Sequence, residues 1–161
     1  MSGNSPGYYQ WIYFTRMELT GEHDVWRMPA SGGTPDCMTT TGRWFGFPSP
    51  DGTTLYTSQY GRSGIASISI GGGPEIPVSN DVEPGLIAGA RTGFYYVARG
   101  PDHSMRQLMY YSYARRHAEP VMLFERPAVG AGLSISPDED EALVAQNDGF
   151  VSQVMLGSNF R

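Results

Sequence analysis

The sequence predicts an all-β chain of about four repeated units, each a four-stranded antiparallel blade of a propeller, with the first and last units incomplete. Three observations predict this class. The 161 residues include 21 Gly, 12 Pro and ten Tyr but only 17% charged residues, a composition typical of short strands joined by tight turns. A Ser-Pro-Asp turn recurs 87 residues apart, at Ser49 and Ser136. No segment carries a convincing helical pattern.

The repeated turn predicts a hairpin at the same place in every unit. Proline presets φ, aspartate bonds to nearby backbone, and glycine accepts the positive φ that closes the turn. Two repeats of about 43 residues fill the 87-residue interval, so one domain, 1–161, divides into units of approximately 7–40, 43–79, 84–125 and 129–161. The strand after each turn is predicted at Trp11–Thr15, Thr53–Gln59, Phe94–Ala98 and Glu141–Gln146.

The remaining strands follow in the same order in each unit. Runs rich in β-branched and aromatic residues predict the next strand at Val25–Ala30, Ile65–Ile70, Leu108–Tyr113 and Val151–Leu156. Short outer strands are expected at Thr34–Met38, Glu75–Val78 and Pro120–Phe124, and innermost strands at Trp44–Phe47, Leu86–Ala90 and Ala131–Ile135. The first unit therefore has a doubtful innermost strand, and the last has no outer strand.

Two segments resemble a known repeat family. Asp24-Val25-Trp26-Arg27-Met28-Pro29-Ala30-Ser31-Gly32-Gly33 and Gly132-Leu133-Ser134-Ile135-Ser136-Pro137-Asp138 are similar to elements of WD40-like, PD40 or TolB-type propeller repeats. The resemblance implies the C-terminal part of a bacterial propeller. It implies a fold rather than a chemistry, because folds of this kind carry many functions. The third unit departs from the pattern by lacking Ser-Pro-Asp, and the fourth has Glu139 in place of the turn glycine.

Ring closure gives the main functional expectation. Propellers of the resembled family use six to eight blades, and about four would leave apolar faces and strand edges open. We therefore expect self-association, most simply a homodimer that completes an approximately eight-bladed ring and binds a protein or small-molecule ligand. The alternative is a fragment of a larger propeller protein without independent function.

Composition excludes several partners and leaves others open. The net charge of −5 and the thinly spread Lys and Arg exclude a nucleic-acid partner. No apolar run is long enough for a membrane span, no signal peptide is recognisable, and the cellular compartment stays unknown. The single cysteine, Cys37, is expected to be a small buried apolar residue, and no cofactor is predicted.

A catalytic role is less favoured than a scaffold, but one cluster could carry chemistry. The loops before the third strands of the units share one end of a propeller, and they gather Glu18, Glu22, His23, Asp24, Asp102, His103 and Asp148. Imidazole with carboxylate suits a divalent metal or general acid–base work. The expected alternatives are solvated loop polarity, with no metal bound, and a hydrolase-type or metal-dependent enzyme whose site lies at the ring centre.

Overall fold

The computed structural model describes residues 10–17, 19, 21–59, 62–100, 102, 104–147 and 152–158. These residues form β-strands and turns, with no α-helix among them. In chain order the strands are β1 (Trp11–Met17), β2 (His23–Pro29), β3 (Asp36–Cys37), β4 (Arg43–Pro48), β5 (Thr54–Gln59), β6 (Arg62–Ser69), β7 (Ile76–Ser79), β8 (Val82–Gly89), β9 (Gly93–Arg99), β10 (Met105–Ser112), β11 (His117–Leu123), β12 (Ala128–Ile135), β13 (Glu141–Asn147) and β14 (Ser152–Ser158).

The chain divides into two compact units, unit 1 over residues 1–80 and unit 2 over residues 81–161. Unit 1 contains sheet 1, in the order β1-β2-β3, and sheet 2, in the order β4-β5-β6-β7. Unit 2 contains sheet 3, in the order β8-β9-β10-β11, and sheet 4, in the order β12-β13-β14. All pairings are antiparallel between consecutive strands, as expected for meandering sheets joined by short turns.

A glycine permits the close packing of sheet 1 against sheet 2. A Cβ atom on Gly46 of β4 would lie 2.9 and 3.0 Å from the two methyl carbons of Val25, which is buried on β2. The hydroxyl of Thr15 on β1 also donates a hydrogen bond to the carbonyl oxygen of Trp44. The two sheets of unit 1 therefore meet where a larger residue than glycine would not fit.

The core of unit 2 lies between sheets 3 and 4. Its buried members come from strands of both sheets and from the residue after β11, namely Leu86, Tyr95, Val97, Leu108, Phe124, Ala128, Leu133, Ala142 and Val144. Burial of each leucine, valine or phenylalanine side chain among them contributes about 1.5–3 kcal/mol. Tyr95, Tyr96 and Tyr111 are also buried.

The two Ser-Pro-Asp turns have the same hydrogen bonds. Ser49 Oγ donates to Asp51 Oδ1 at 2.5 Å and accepts from Thr54 N at 3.0 Å. In the second turn, Ser136 Oγ donates to Asp138 Oδ1 at 2.5 Å and accepts from Glu141 N at 2.9 Å. The fourth position has positive φ in both turns, 68° at Gly52 and 63° at Glu139. The position predicted from the sequence for these two turns is therefore confirmed.

The all-β fold class is confirmed, and within the described ranges the first and last sheets have three strands each, as expected. Two local predictions are wrong. Cys37 is exposed rather than buried, because it lies on the two-residue outer strand β3. His23 and Asp24 belong to strand β2 rather than to the loop before it. Among the described residues, no helix is long and apolar enough to span a bilayer.

Candidate functional site

Asp24 lies in a buried hydrogen-bond network that joins sheet 1 to the segment leading into sheet 2. Its Oδ1 accepts hydrogen bonds from Thr39 Oγ1 at 2.9 Å and from Gly42 N at 3.4 Å. Thr39 Oγ1 in turn accepts a hydrogen bond from Val25 N at 2.9 Å. A buried carboxylate needs such partners, because an unsatisfied one costs several kcal/mol. The observed contacts give Asp24 a structural role.

The neighbours of Asp24 have different surroundings. The half-buried His23 ring contacts Trp44 edge-on, with ring centroids 4.9 Å apart, and Glu22 is exposed. No group of three or more His, Cys, Asp or Glu side chains within the described ranges could hold a metal ion. Glu18 lies outside those ranges.

Asp102 forms a local turn in unit 2. Its Oδ1 accepts hydrogen bonds from the hydroxyl and the backbone N–H of Ser104, and its Oδ2 lies 3.0 Å from Arg106 Nη2. The Ser104 hydrogen bonds, with the charge of Arg106 adding to them, hold the pKa of Asp102 below its ordinary value. His103 and Asp148 lie outside the described residues. The proposed grouping of Glu22, His23, Asp24, Asp102 and His103 therefore stays a prediction.

The sequence did not indicate a polar cavity of about 210 Å³ in unit 1, which we call the Arg27 cavity. It is lined by residues of β1, β2 and the Ser-Pro-Asp turn: Gln10, Trp11, Tyr13, Arg27, Pro48, Ser49, Asp51 and Gly52. The Arg27 guanidinium lies over the Trp11 ring, 4.1 Å from its centroid, a cation–π contact that fixes its position. The sequence feature that could have indicated this cavity is Arg27, a cationic residue within the repeat motif Asp24–Gly33.

A second and more open cavity, of about 550 Å³, lies on sheet 3 in unit 2. Tyr110 lies in its wall, and the tyrosine hydroxyl is 2.7 Å from Thr92 Oγ1. At the same cavity Arg115 forms two hydrogen bonds with the carboxylate of Glu119, at 2.6 and 3.2 Å. The charged groups of this cavity thus satisfy each other.

The serine of each repeated turn also fixes the pKa of its aspartate. The Ser49 hydroxyl, followed by the backbone N–H and hydroxyl of Thr53, lowers the pKa of Asp51. Hydrogen bonds from Ser136 and from Asp140 N lower the pKa of Asp138 in the same way. Both carboxylates are therefore ionised at neutral pH.

Comparison with known proteins identifies the fold. No protein-family model and no curated protein sequence matches the chain. Among solved structures, a candidate TolB from Agrobacterium tumefaciens matches with a TM-score of 0.72 and 17% identity, over 94% of this chain and 58% of that one. TolB from Acinetobacter baumannii matches with a TM-score of 0.69 and 9% identity, over 94% of this chain and 39% of that one.

The fold is that of a TolB-type β-propeller. A chain in the nidogen/laminin complex also matches, with a TM-score of 0.65 and 12% identity, over 94% of this chain and 57% of that one. At these identities the likeness concerns the fold alone. This chain spans about two fifths to three fifths of the length of the three structures.

Proposed function

We propose that this chain is a non-catalytic β-propeller module that self-associates to complete a ring and presents its loops or central channel to a protein or small ligand. The observation that supports it is an exposed apolar face on sheet 4. Leu143 and Leu156 are direct cross-strand partners, with 43% and 55% of their surface exposed. Val154 is opposite Ala145 on the same face and is 73% exposed.

The other face of the same sheet is buried in the core of unit 2. The exposed face therefore differs from the single apolar residues that are common on protein surfaces. Ala142 and Val144 belong to the core of unit 2, and Gln146 is buried with its amide donating a hydrogen bond to Arg126 O at 3.0 Å. Alternation along β13 therefore places apolar side chains on both faces of an antiparallel sheet. This pattern is typical of a sheet covered on both sides.

The edge of sheet 4 supports the same proposal. Sheets 2 and 3 carry a fourth strand, β7 and β11 respectively, outside their third strand. Within the described part of the chain, β14 has a strand partner only on its β13 side. An open edge of this kind invites further strand pairing.

The occupant we assign to the exposed face is a second copy of this chain. A closed ring removes open faces and edges, and the solved propellers that match this chain are considerably longer than it. In a twofold ring, sheet 4 of each copy would pack on sheet 1 of the other, where Ile12 is 48% exposed.

Light scattering coupled to size exclusion on the 161-residue chain tests the proposal. We expect a dimer, and we expect Leu156→Glu to yield monomers because the charge would be buried at the interface. Ile76→Glu is the matched control, since Ile76 is 59% exposed on the outer strand of sheet 2, and it should stay dimeric. A folded wild-type monomer, or a dimer that Leu156→Glu leaves intact, would contradict the proposal.

A further inference from the structure

The outer strands of sheets 2 and 3 carry the same protection at their open edges. In β7 of sheet 2, Pro77 is followed by Val78, and in β11 of sheet 3, Pro120 is followed by Val121. Each valine is the extra residue of a β-bulge, because the register with the neighbouring strand shifts by one residue at that point. A proline and a bulge both keep an outer strand from pairing with another chain.

The outer edge of sheet 4 has no such protection within the described part of the chain. Strand β14, Ser152–Ser158, is the outermost strand there, and it contains neither a proline nor a charged residue. Its register with β13 runs without a shift. In sheet 1 the outer strand β3 has only two residues, which is too short to recruit another strand. The edge of β14 is therefore the one among these four that is suited to pairing with a further strand.

The internal repeat gives the register that a further strand on β14 would take. The seventh residue after the serine of each Ser-Pro-Asp turn is opposite Ser67 in sheet 2 and opposite Leu156 in sheet 4. On its other side Ser67 is opposite Ile76 of β7, and the proline follows Ile76. A strand on β14 would therefore place its equivalent of Ile76 opposite Leu156 and its proline opposite Met155.

The backbone groups of Leu156 and Val154 point to this edge. In sheet 2 the N–H of Ile70 donates to the carbonyl oxygen of Thr53 at 2.9 Å, so alternate residues counted back from Ile70 direct their backbone groups toward β5. The residues between them, including Ser67, direct theirs toward the outer strand. In β14 the corresponding residues are Leu156 and Val154, and no described strand lies on that side.

Charge selects among the outer-strand types of this chain. The position of Ile76 is taken by Asp36 in β3 and by Glu119 in β11. Each of these carboxylates lies beside an arginine of its own sheet, at 3.6 and 2.6 Å respectively. In sheet 4 the opposite residue is Leu156, and β14 carries no charge, so an acidic residue would lose its partner there. The isoleucine of β7 is the type that matches this edge.

We propose that the edge of β14 binds an extended segment of another protein with the pattern isoleucine-proline-valine, which pairs as a fourth strand of sheet 4. Backbone hydrogen bonds to Val154 and Leu156 supply the affinity, and the isoleucine beside Leu156 supplies selectivity. The proline gives the new edge the protection that β7 and β11 already have. The inference does not depend on self-association, because the edge belongs to a single copy.

A peptide copied from β7 tests the proposal. Residues 74–80, Pro-Glu-Ile-Pro-Val-Ser-Asn with blocked ends, are titrated into the ¹⁵N-labelled 161-residue chain. We expect saturable shifts and slowed hydrogen exchange at the amides of Val154 and Leu156, with a dissociation constant of about 0.1–1 mM, since a short flexible peptide must be ordered on binding. The amide of Met155, which faces β13, should change less.

Modified peptides separate strand pairing from general stickiness. A methyl group on the isoleucine nitrogen blocks the N–H that pairs with β14, so it should weaken binding by about tenfold or more. A methyl group on the preceding glutamate nitrogen faces away from β14 and should leave binding unchanged. Glutamate in place of isoleucine should weaken binding by a factor of about two to five. Equal binding of the two methylated peptides would overturn the proposal.

Variants of Val154 test the edge from the side of the protein. Val154→Pro removes an N–H that points outward and breaks no hydrogen bond to β13, so the chain should fold and peptide binding should fall by about tenfold or more. Val154→Thr, which keeps the N–H and the β-branch, is the matched control and should bind as wild type does. Undiminished binding in Val154→Pro, with a wild-type far-ultraviolet circular dichroism spectrum, would overturn the proposal.

The rival occupant of this edge is β14 of a second copy. In that case wild type would bind no peptide, and Val154→Pro would convert a wild-type dimer to a monomer in light scattering. This pair of results would also overturn the proposal.

Discussion

The side chain of Glu139 accepts a hydrogen bond from the backbone N–H of Arg91, 48 residues earlier in the chain, at 3.1 Å. This contact links the two departures from the repeat pattern. The third turn lacks Ser-Pro-Asp, whose side chains would satisfy its backbone, and the fourth turn lacks its glycine. Glu139, which replaces that glycine, accepts a hydrogen bond from a backbone N–H of the third turn, the one that lacks the serine. Positive φ at a buried non-glycine residue persists because this hydrogen bond compensates for it.

Substitutions at Glu139 should therefore have an unusual order of effects. Glu139→Ala keeps the unfavourable φ and leaves Arg91 N unsatisfied, so we expect the free energy of unfolding to fall by about 2–3 kcal/mol. Glu139→Gly also loses the hydrogen bond but relieves the backbone strain, so it should cost about 1 kcal/mol less than alanine. Urea unfolding at neutral pH measures both values.

Arg116 supplies the control for that experiment. It is the other described non-glycine residue with positive φ, and it is exposed in a turn. Arg116→Gly should be neutral or stabilising because it relieves strain without removing a buried hydrogen bond. If Glu139→Gly were also stabilising, the contact with Arg91 would contribute nothing measurable.

The contrast between Ser49 and Glu139 shows how far sequence alone could go. The hydrogen bonds of Ser49 lie within five residues, so residue types and spacing predict them. The Glu139 contact spans 48 residues and depends on how two turns pack, which no local pattern specifies. Cys37 shows the same limit, because burial of a cysteine depends on which strand is outermost and how short that strand is.

Thr39 should be essential to the network around Asp24. Thr39→Val removes the hydroxyl that donates to Asp24 and accepts from Val25 N, and both partners are buried. We expect a loss of about 2–3 kcal/mol in unfolding free energy, whereas Thr39→Ser, which keeps the hydroxyl, should lose less than about 1 kcal/mol.

The same variants address the metal or acid–base hypothesis for His23 and Asp24. A structural role predicts that Asp24→Asn reduces stability and that added divalent metal leaves the melting temperature of wild type unchanged. A metal-dependent rise in melting temperature that Asp24→Asn removes would instead support a ligand role, because a ligand that binds only the folded state stabilises it.

The repeated turn makes stability depend on acid pH. Hydrogen bonds lower the pKa of Asp51 in the folded state, so its contribution is present above the unfolded pKa of about 3.9 and is lost as pH falls through the folded pKa. Asp51→Asn should cost less than about 1 kcal/mol at pH 7, since the group is exposed and screened. The difference from wild type should close below about pH 4.

Ser49 is the main cause of that pKa shift and gives an independent measurement. Ser49→Ala should move the Asp51 pKa upward toward its ordinary value, as followed by carboxyl carbon shifts in an NMR titration. An unchanged Asp51 pKa in Ser49→Ala would mean that the backbone N–H of Thr53 dominates instead.

Gly46 and Val25 provide a test of packing between the two sheets of unit 1. Gly46→Ala would place a methyl group 2.9 and 3.0 Å from the Val25 side-chain carbons, so the Val25 side chain or one of the two strands must shift to relieve the overlap. We expect a loss of about 1–3 kcal/mol in the free energy of unfolding, the usual cost of overpacking.

Val25→Ala alone should also destabilise the protein, since it leaves a cavity at a buried position. In the double variant the new methyl group enters the space vacated by Val25, so the combined loss should be smaller than the sum of the two. Unfolding free energies of the four proteins complete the cycle, and strict additivity would show that β2 and β4 do not meet through these two residues.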